Sequence, residues 1–548
     1  MARLLRLLAC ALVIGCAAFT FGCSRDDGAP QTKTGGAGGT AGSGGASTSQ
    51  IDAAIVTGGV QGIGGSVGGT GGTRVGTGGT PAVTGGSGGT STRTGGGGGT
   101  PTFAGGAGGT KTSAGGAGGT KLSTGGVGGT SVATGGAGGT RTSTGGGGSL
   151  VGTGGSLDSG TTSATSAIEQ LKAYLAVPRA QRKPIDGETF AQTPLVRDEA
   201  TQAADLLWQD FAANIKATRK AEHDARSFTV DGKTMRYTMK TFGTKPAQGR
   251  SLYFSLHGGG NADPSVNDEQ WTNQQTLYQP DEGIYLCPRA PTDTWNLWHE
   301  AHIDPMFERL ITNLIVLEEV NPDRVYVMGY SAGGDGVYQL GPRMADHWAA
   351  AAAMAGHPND AQPYSLRDIG FTIHVGALDT SYDRNLVAQQ WSDQLDKLAA
   401  DDPGGYPHVV QIHAGKSHWM DLEDAVAVPW MAKFTRAPNP DIVVWYQDDV
   451  PHSRFYWLAV DAAQAKAKTQ VRATLTGHNI ALQSSDVANL KVRLSDDMLD
   501  LDQPVVVTAN GTERWNAKAT RTIAVLAKTL EERGDPHMVW SAEVTVAF

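Results

Sequence analysis

Short apolar runs recur along residues 225–436, and stretches of mixed polarity separate each run from the next. Each run is four to six residues long, which is short for a helix and typical of a strand buried on both faces. The runs are Leu252–Leu256, Ile284–Cys287, Val325–Met328, Ala349–Met354, Phe371–Val375 and Val409–Ile412. Apolar strands that alternate with helical stretches predict an α/β fold, in which helices cover both faces of a mostly parallel sheet.

Helical periodicity precedes these strands. Apolar residues recur at helical spacing over about 165–176 and 197–224, and both stretches are predicted to be helices. Two alternating segments then flank Asp231-Gly232, which is typical of a β-hairpin turn. These elements and the strands predict one α/β domain over 161–436.

The final stretch, 437–548, has a different pattern, because its apolar residues alternate with polar ones in short segments. Turn residues such as Asn510-Gly511 separate these segments, and Ala524–Glu532 has helical periodicity. Short alternating strands with turns between them predict a small β-rich domain, a β-sandwich with one helix.

Glycine content separates the first 160 residues from the rest of the chain. They hold 55 of the 77 glycines, and 81–150 repeats every ten residues with a Gly-Gly pair in each copy. So few apolar residues cannot form a core, and glycine loses the most backbone entropy on ordering. We therefore expect 24–160 to be a disordered, Gly/Thr-rich linker that spans about 60 Å. A solenoid or stacked β-assembly is the alternative, because a fixed period is typical of such arrays.

The N-terminus has the layout of an export signal. Two arginines precede an apolar run over 7–21, which is shorter than the ~20 residues of a membrane span. The run ends at Gly22-Cys23, which resembles a bacterial lipoprotein signal, so 1–23 is expected to be a signal peptide with Cys23 as the lipid anchor. Cys16 is the alternative anchor. The expected location is the outer membrane or cell surface, with plain secretion as the alternative.

Charge and cysteine content exclude some classes of function. The chain has a net charge of −9, and residues 161–548 carry −14 because the first 160 residues carry +5. An acidic domain lacks the basic face that binds nucleic acid, so no nucleic-acid partner is expected. Once the signal is removed, Cys287 is the one cysteine left in the folded part. No disulfide framework and no cysteine-based metal site are therefore expected.

The most specific motif is Gly329-Tyr330-Ser331-Ala332-Gly333, which follows a predicted strand and precedes a helical stretch. That context is required of a nucleophile elbow, a tight strand-to-helix turn that exposes a serine hydroxyl. The flanking glycines fit, because a side chain would collide in such a turn. Ser331 is therefore the candidate nucleophile.

Backbone donors for an oxyanion are expected at two places. His257-Gly258-Gly259-Gly260 follows an earlier strand, and turns of this type expose N–H groups toward a tetrahedral intermediate. We expect donors at Gly258 and Gly259, and another from Ala332, directly after the nucleophile. A phosphate-binding or structural turn is the alternative for the glycine run.

A serine nucleophile needs a base, and the base needs an acid that orients it. In the order Ser, acid, His, both partners are expected on loops after later strands. Asp379 lies just after the run that ends at Val375, and Asp383 is its rival. His418 follows the next strand and fits the base better than His413, which lies at the strand end.

With these motifs the sequence resembles the α/β-hydrolase superfamily. More narrowly, it resembles polyhydroxyalkanoate depolymerase-like and feruloyl or acetyl-xylan esterase-like carboxylesterases. The resemblance covers about 225–436 and rests on the His257 and Ser331 motifs, Gly376-Ala-Leu-Asp379 and Gly415-Lys-Ser-His418-Trp419. It implies a Ser331–Asp379–His418 triad, an ester substrate that is small or polymeric, and no cofactor or metal. Paired cysteines that polyester depolymerases of this group often carry are absent, which favours a general esterase.

Trp295 and Trp298, together with Tyr330, are predicted to be aromatic walls of a substrate pocket. The alternative for the two tryptophans is a loop fastened to the core. Histidines and acids lie near them, but their spacing is not that of a zinc site, so no metal is expected. The C-terminal domain either stabilises the catalytic domain or adds a wall to the site through Asp448, His452 and Trp457.

Two other functions stay open at this point. A serine peptidase would use the same triad on a different bond. A surface-display or adhesion protein would carry the same fold without activity.

Overall fold

The computed structural model describes residues 165–548. The signal peptide predicted for 1–23, the linker predicted for 24–160 and the two candidate anchors, Cys16 and Cys23, lie outside the described residues. Within the described part, no helix has both the length and the hydropathy that crossing a membrane requires.

The α-helices are α1 (Ala167–Ala176), α2 (Arg197–Ala225), α3 (Pro264–Leu277), α4 (Ile303–Leu317), α5 (Ala332–Arg343), α6 (Arg384–Asp401), α7 (Ala427–Met431) and α8 (Ile523–Arg533). The strands of the first sheet are β1 (Ser227–Val230), β2 (Lys233–Phe242), β3 (Arg250–Leu256), β4 (Gly283–Arg289), β5 (Val320–Tyr330), β6 (Ala350–Met354), β7 (Gly370–Gly376) and β8 (His408–His413). The remaining strands are β9 (Ile442–Tyr446), β10 (Arg454–Phe455), β11 (Leu458–Ala459), β12 (Gln470–Thr476), β13 (Asn479–Gln483), β14 (Asn489–Leu494), β15 (Val505–Ala509), β16 (Thr512–Ala517) and β17 (Ala542–Ala547).

The first eight strands form one sheet in the order β1-β2-β4-β3-β5-β6-β7-β8. From β4 to β8 every neighbouring pair is parallel, whereas β1 and β2 pair antiparallel at one edge. Successive residues of β5 face opposite layers: Val325 and Val327 pack with α4 and α5, and Tyr326 and Met328 pack with α7. Both faces of the sheet are therefore covered by helices, which is why its strands read as unbroken apolar runs. The α/β expectation is confirmed.

Residues 437–548 form two further sheets, β10-β11-β14-β17 and β16-β15-β13-β12-β9. Along β12 every second residue is buried, so one face of each sheet points into a shared core. The β-rich C-terminal region is confirmed, and its helix α8 lies close to the predicted one. The domain boundary at residue 437 stays a prediction.

Residues 165–436 and 437–548 share charged side chains that are buried or half-buried, as well as an apolar core. We call this set of residues the junction; it consists of Glu308, Asp323, Asp346, Arg436, Arg454, Arg533 and Asp535. Asp346 pairs with Arg533, and Arg436 lies 2.6 Å from both Asp323 and Asp535. The sequence did not predict these pairs, because their members are far apart along the chain.

Candidate active site

Ser331 lies in the turn between β5 and α5, at the carboxyl edge of the parallel strands. Its backbone has φ of 59° and ψ of −123°, which non-glycine residues rarely adopt. A Cβ on Gly329 or Gly333 would collide with neighbouring backbone atoms, so both flanking positions need glycine. The turn therefore has the geometry of a nucleophile elbow.

Ser331, His418 and Asp379 form a hydrogen-bonded chain. The Oγ of Ser331 is 3.0 Å from Nε2 of His418, and Oδ2 of Asp379 is 2.7 Å from Nδ1 of the same ring. Because a carboxylate only accepts, Nδ1–H donates to Asp379 and Nε2 is free to accept the serine proton. Asp379 is buried, so this hydrogen bond is shielded from water.

The parallel strands bring Asp379 and His418 to the same edge, since their loops follow β7 and β8. A backbone hydrogen bond joins the two loops at their start, where the N–H of Ala377 donates to the carbonyl of His413 at 2.9 Å. The distance between the carboxylate and the imidazole is therefore fixed by the ends of two neighbouring strands.

The two rival residues lie elsewhere. Asp383 is the residue before α6, and Asp379 is the carboxylate within hydrogen-bonding distance of His418. His413 has its Nδ1 3.2 Å from Glu423, so its ring makes local contacts at the strand end.

Tyr330 acts behind the site and does not line a pocket, so its prediction as a pocket wall is wrong. Its ring is 8% exposed. Its hydroxyl donates to the carbonyl of His418 at 2.5 Å and accepts from the N–H of Met420 at 3.2 Å. Burial raises the pKa of this hydroxyl, so it stays protonated and able to donate. Tyr330 thus joins the turn of Ser331 directly to the loop of His418.

The glycine turn after β3 passes beside the nucleophile, since a Cβ on Gly258 would lie 3.1 Å from the Cβ of Ser331. Burial lowers the pKa of His257 to about 4, so its ring is neutral at neutral pH. The N–H of Ala290 donates to Nε2 at 3.1 Å, so Nδ1 carries the proton and donates to the carbonyl of Gly258 at 2.6 Å. In a trans peptide the N–H points opposite to the C=O, so the N–H of Gly259 points away from His257.

Trp298 supports the same turn from inside the core, so its prediction as a pocket wall is also wrong. The side chain is fully buried, and its Nε1–H donates to the carbonyl of His257 at 2.9 Å. By the same peptide geometry, the N–H of Gly258 points away from Trp298. When the position of a loop in the fold is unknown, an aromatic residue in it is compatible with a pocket wall and with a core position. The sequence therefore could not separate the two.

The end of the glycine turn is held by a side-chain amide. Gly259 and Gly260 have φ of 102° and 86°, a region that favours glycine, and the N–H of Gly260 donates to Oδ1 of Asn267 at 2.8 Å. Across the site, Ala332 is the first residue of α5, so its N–H has no acceptor within the helix. The assignment of Gly258, Gly259 and Ala332 as oxyanion donors stays a prediction that this geometry is compatible with.

Two charged side chains near the triad have no sequence motif. Arg384 lies with Nη1 3.7 Å from Oδ1 of Asp379, the oxygen that does not face His418. Asp335, in the first turn of α5, accepts from the N–H of His357 at 2.6 Å, and burial raises its pKa to about 6. Each residue lies in the first turn of a helix, and a charged residue there is too common to identify a site.

No family model and no curated protein matches this sequence. Solved structures do match over part of the chain: the BES protein from Bacillus cereus at 11% identity, a ferulic acid esterase at 14%, and LpqC, a poly(3-hydroxybutyrate) depolymerase from Bordetella parapertussis, at 15%. Each match covers 38% of this chain and 92%, 95% and 90% of the other chain, with TM-scores of 0.28, 0.27 and 0.28. At TM-scores below 0.5 these likenesses say nothing about the substrate.

The fold is instead evident from this chain's own structure. It has the sheet order, the elbow after β5 and the adjoining loops after β7 and β8 described above. The chain has an α/β-hydrolase fold. Within this fold, Trp295 is 57% exposed and borders a cavity of about 440 Å³. Its use as a pocket wall stays a prediction.

The C-terminal residues near this cavity differ from the expected ones. Asp449 and Val450 line it. Trp457 is fully buried, and Nε2 of His452 lies 2.7 Å from Oδ2 of Asp304. Trp457 and His452 therefore have structural contacts in place of the predicted ones with a substrate.

Proposed function

We propose that this protein is a serine hydrolase that cleaves carboxylic esters. Ser331 is the nucleophile, His418 the general base, and Asp379 the acid that orients the imidazole. The observation that carries the proposal is the continuous chain of hydrogen bonds, 3.0 Å and 2.7 Å long, on a nucleophile elbow.

The geometry supports a two-step reaction. Ser331 attacks the ester carbonyl while Nε2 of His418 takes the hydroxyl proton, and the protonated imidazole then gives that proton to the leaving alcohol. Water, activated by the same imidazole, releases the acid from the acyl-enzyme. The N–H groups of Gly258, Gly259 and Ala332 are the proposed donors to the oxyanion. One such donor is commonly worth about 10²–10³ in rate.

The test uses the purified full-length protein with p-nitrophenyl acetate and butyrate, and with peptide p-nitroanilides as the comparison. We expect hydrolysis of the esters and labelling of Ser331 by a fluorophosphonate probe. Ester hydrolysis at the wild-type rate in Ser331→Ala would overturn the proposal. Faster cleavage of the anilides than of the esters would make the protein a peptidase.

We also propose that the hydrolase is exported and held at the outer membrane or cell surface by a lipid on Cys23. The proposal rests on the sequence of 1–23 and on the glycine-rich linker that follows. Incorporation of labelled palmitate should be lost in Cys23→Ala and kept in Cys16→Ala. Loss in Cys16→Ala alone would move the anchor to that residue, and no incorporation at all would indicate secretion.

A further inference from the structure

A second feature of the carboxyl edge is the cavity beside Trp295. Its volume is about 440 Å³, and it is open to solvent. The residues on which its chemistry depends are Trp295, His299, Glu300, Asn359, Asp360 and Asp449. One wall is thus an exposed indole, and most of the others end in carboxylates or amides.

The cavity lies next to the proposed oxyanion turn. A Cβ on Gly260 would lie 3.1 Å from the carbonyl oxygen of Trp295, and a Cβ on Gly258 would lie 3.1 Å from the Cβ of Ser331. Two residues of backbone, roughly 7 Å, therefore separate the contact with the tryptophan from the contact with the nucleophile. Trp295 and the proposed nucleophile thus lie at the two ends of the same glycine turn.

The charge of the cavity is negative. Glu300, Asp360 and Asp449 are three carboxyl groups, and neither lysine nor arginine is among the residues that line it. Burial lowers the pKa of His299 to about 4, so that ring adds no positive charge at neutral pH. The pKa of Glu300 is lowered, because hydroxyl donors from threonines outweigh the opposing effect of burial.

The negative charge of the cavity also affects the neighbouring carboxyl group of Asp448. The pKa of Asp448 is raised, first by burial and then by the charges of Asp449 and Asp360. The guanidinium of Arg343 is buried. It lies 2.7 Å from Asp304 and 3.8 Å from Asp449, so most of its charge is already paired.

A small metal ion does not fit this arrangement. Among residues 165–548, no three His, Cys, Asp or Glu side chains are close enough to hold one. A bulky organic cation has different requirements, because it binds diffuse negative charge and the face of an aromatic ring. An exposed indole with carboxylates spread around it meets both requirements.

We infer that this cavity is a subsite for an ammonium group, and that the hydrolase takes esters in which one half carries an amine or a quaternary ammonium. The inference rests on the proposed function for the ester bond. Trp295 stacks on the cation, and Glu300, Asp360 and Asp449 supply the opposing charge.

The experiment compares choline with its uncharged isostere, 3,3-dimethyl-1-butanol, as inhibitors of p-nitrophenyl acetate hydrolysis by the full-length protein. We expect the inhibition constant of choline to be about tenfold lower at low ionic strength, and the difference to shrink as salt is added. Asp360→Asn should raise the constant for choline and leave that of the isostere unchanged, and Trp295→Ala should raise the constant for choline more than that of the isostere. Matched controls are Trp515→Ala on β16 and Asp401→Asn at the end of α6, which should change neither.

Equal inhibition by the two compounds would overturn the subsite, and so would a loss of choline inhibition that the two control variants share. Calorimetric titration of Ser331→Ala with both compounds measures the same preference without catalysis. A protein that hydrolyses no ester yet prefers choline in that titration would refute the proposed function and keep the cation site. A protein that hydrolyses esters but shows no preference would do the reverse.

Discussion

The carboxyl edge of the sheet and the junction hold their polar side chains in opposite ways. At the edge, each group of the triad has one or two directed hydrogen bonds, and Ser331 and His418 are partly exposed. At the junction four of the charged side chains are buried and three are half-buried, and Asp346 and Arg436 each contact several partners.

The difference shows where activity and stability are determined. An exposed side chain at the edge can be replaced without leaving a buried charge behind, so the fold tolerates the change while the reaction does not. Removal of one charge at the junction leaves its partner unpaired in the interior, which is costly even where the intact pair adds little. The two regions therefore predict opposite outcomes for substitutions of similar size.

The largest expected effect is at the nucleophile. Ser331→Ala should lower kcat/KM for p-nitrophenyl acetate by at least about 10⁴-fold, because the residual rate comes from binding and the oxyanion donors alone. The melting temperature should not fall. A loss of both activity and stability would break the contrast between the edge and the junction.

The next effect is at the junction. Asp346→Ala leaves the buried guanidinium of Arg533 without its carboxylate and should reduce the free energy of unfolding by about 3–5 kcal/mol. Urea denaturation measures it, with Asp401→Ala, which removes an exposed pair with Lys397, as the control that should change little. The kcat per folded Asp346→Ala molecule should stay near that of the wild type, and a selective loss of kcat would contradict the comparison.

A smaller effect distinguishes a tyrosine that positions the base from one that only stabilises the fold. Both tyrosines lie on β5. Tyr330→Phe removes the hydrogen bond to the His418 carbonyl, and Tyr326→Phe removes a similar bond, 2.9 Å long, to the carbonyl of Phe434. Both variants should lose about 1 kcal/mol of stability. Only Tyr330→Phe should lose kcat, by about tenfold, since a slight displacement of the base is costly. Equal kinetics in the two would show that Tyr330 is purely structural.

The smallest expected effect is a pH dependence of stability that comes from Asp335, in the helix turn that follows Ser331. Burial raises the pKa of Asp335 to about 6, so the folded state binds a proton more tightly than the unfolded state. This carboxyl group therefore contributes stability below its ordinary pKa, near 4, and that contribution is lost as the pH rises to about 6. Asp335→Asn keeps an acceptor for the N–H of His357 and should flatten the melting temperature between pH 4 and 6. An unchanged slope would assign the dependence to other carboxyl groups.

The strands and the placement of Ser331, Asp379 and His418 were predictable because short-range rules decide them. Glycines at 329 and 333 are required by the turn itself, and the carboxyl ends of parallel strands must meet at one edge. That rule brings Asp379 and His418 near Ser331 without knowledge of any side-chain packing.

Roles that depend on long-range packing were not predictable. Trp298 and Tyr330 were assigned to a pocket, although each donates a hydrogen bond to a backbone carbonyl from a buried position. The pair of Asp346 and Arg533 joins residues 187 positions apart. Apolar periodicity shows that such residues are inside the fold but not which neighbour they meet.

The backbone angle at Ser331 has a consequence for how variants of this protein would be selected. A non-glycine residue with a backbone φ of 59° and ψ of −123° is strained. Such strain commonly lowers the stability of the folded state by on the order of 1–3 kcal/mol. Glycine adopts that angle freely, so Ser331→Gly should relieve the strain while abolishing the reaction. A screen for thermal stability alone would therefore enrich inactive variants at position 331. Selection for a more stable variant must include an activity assay.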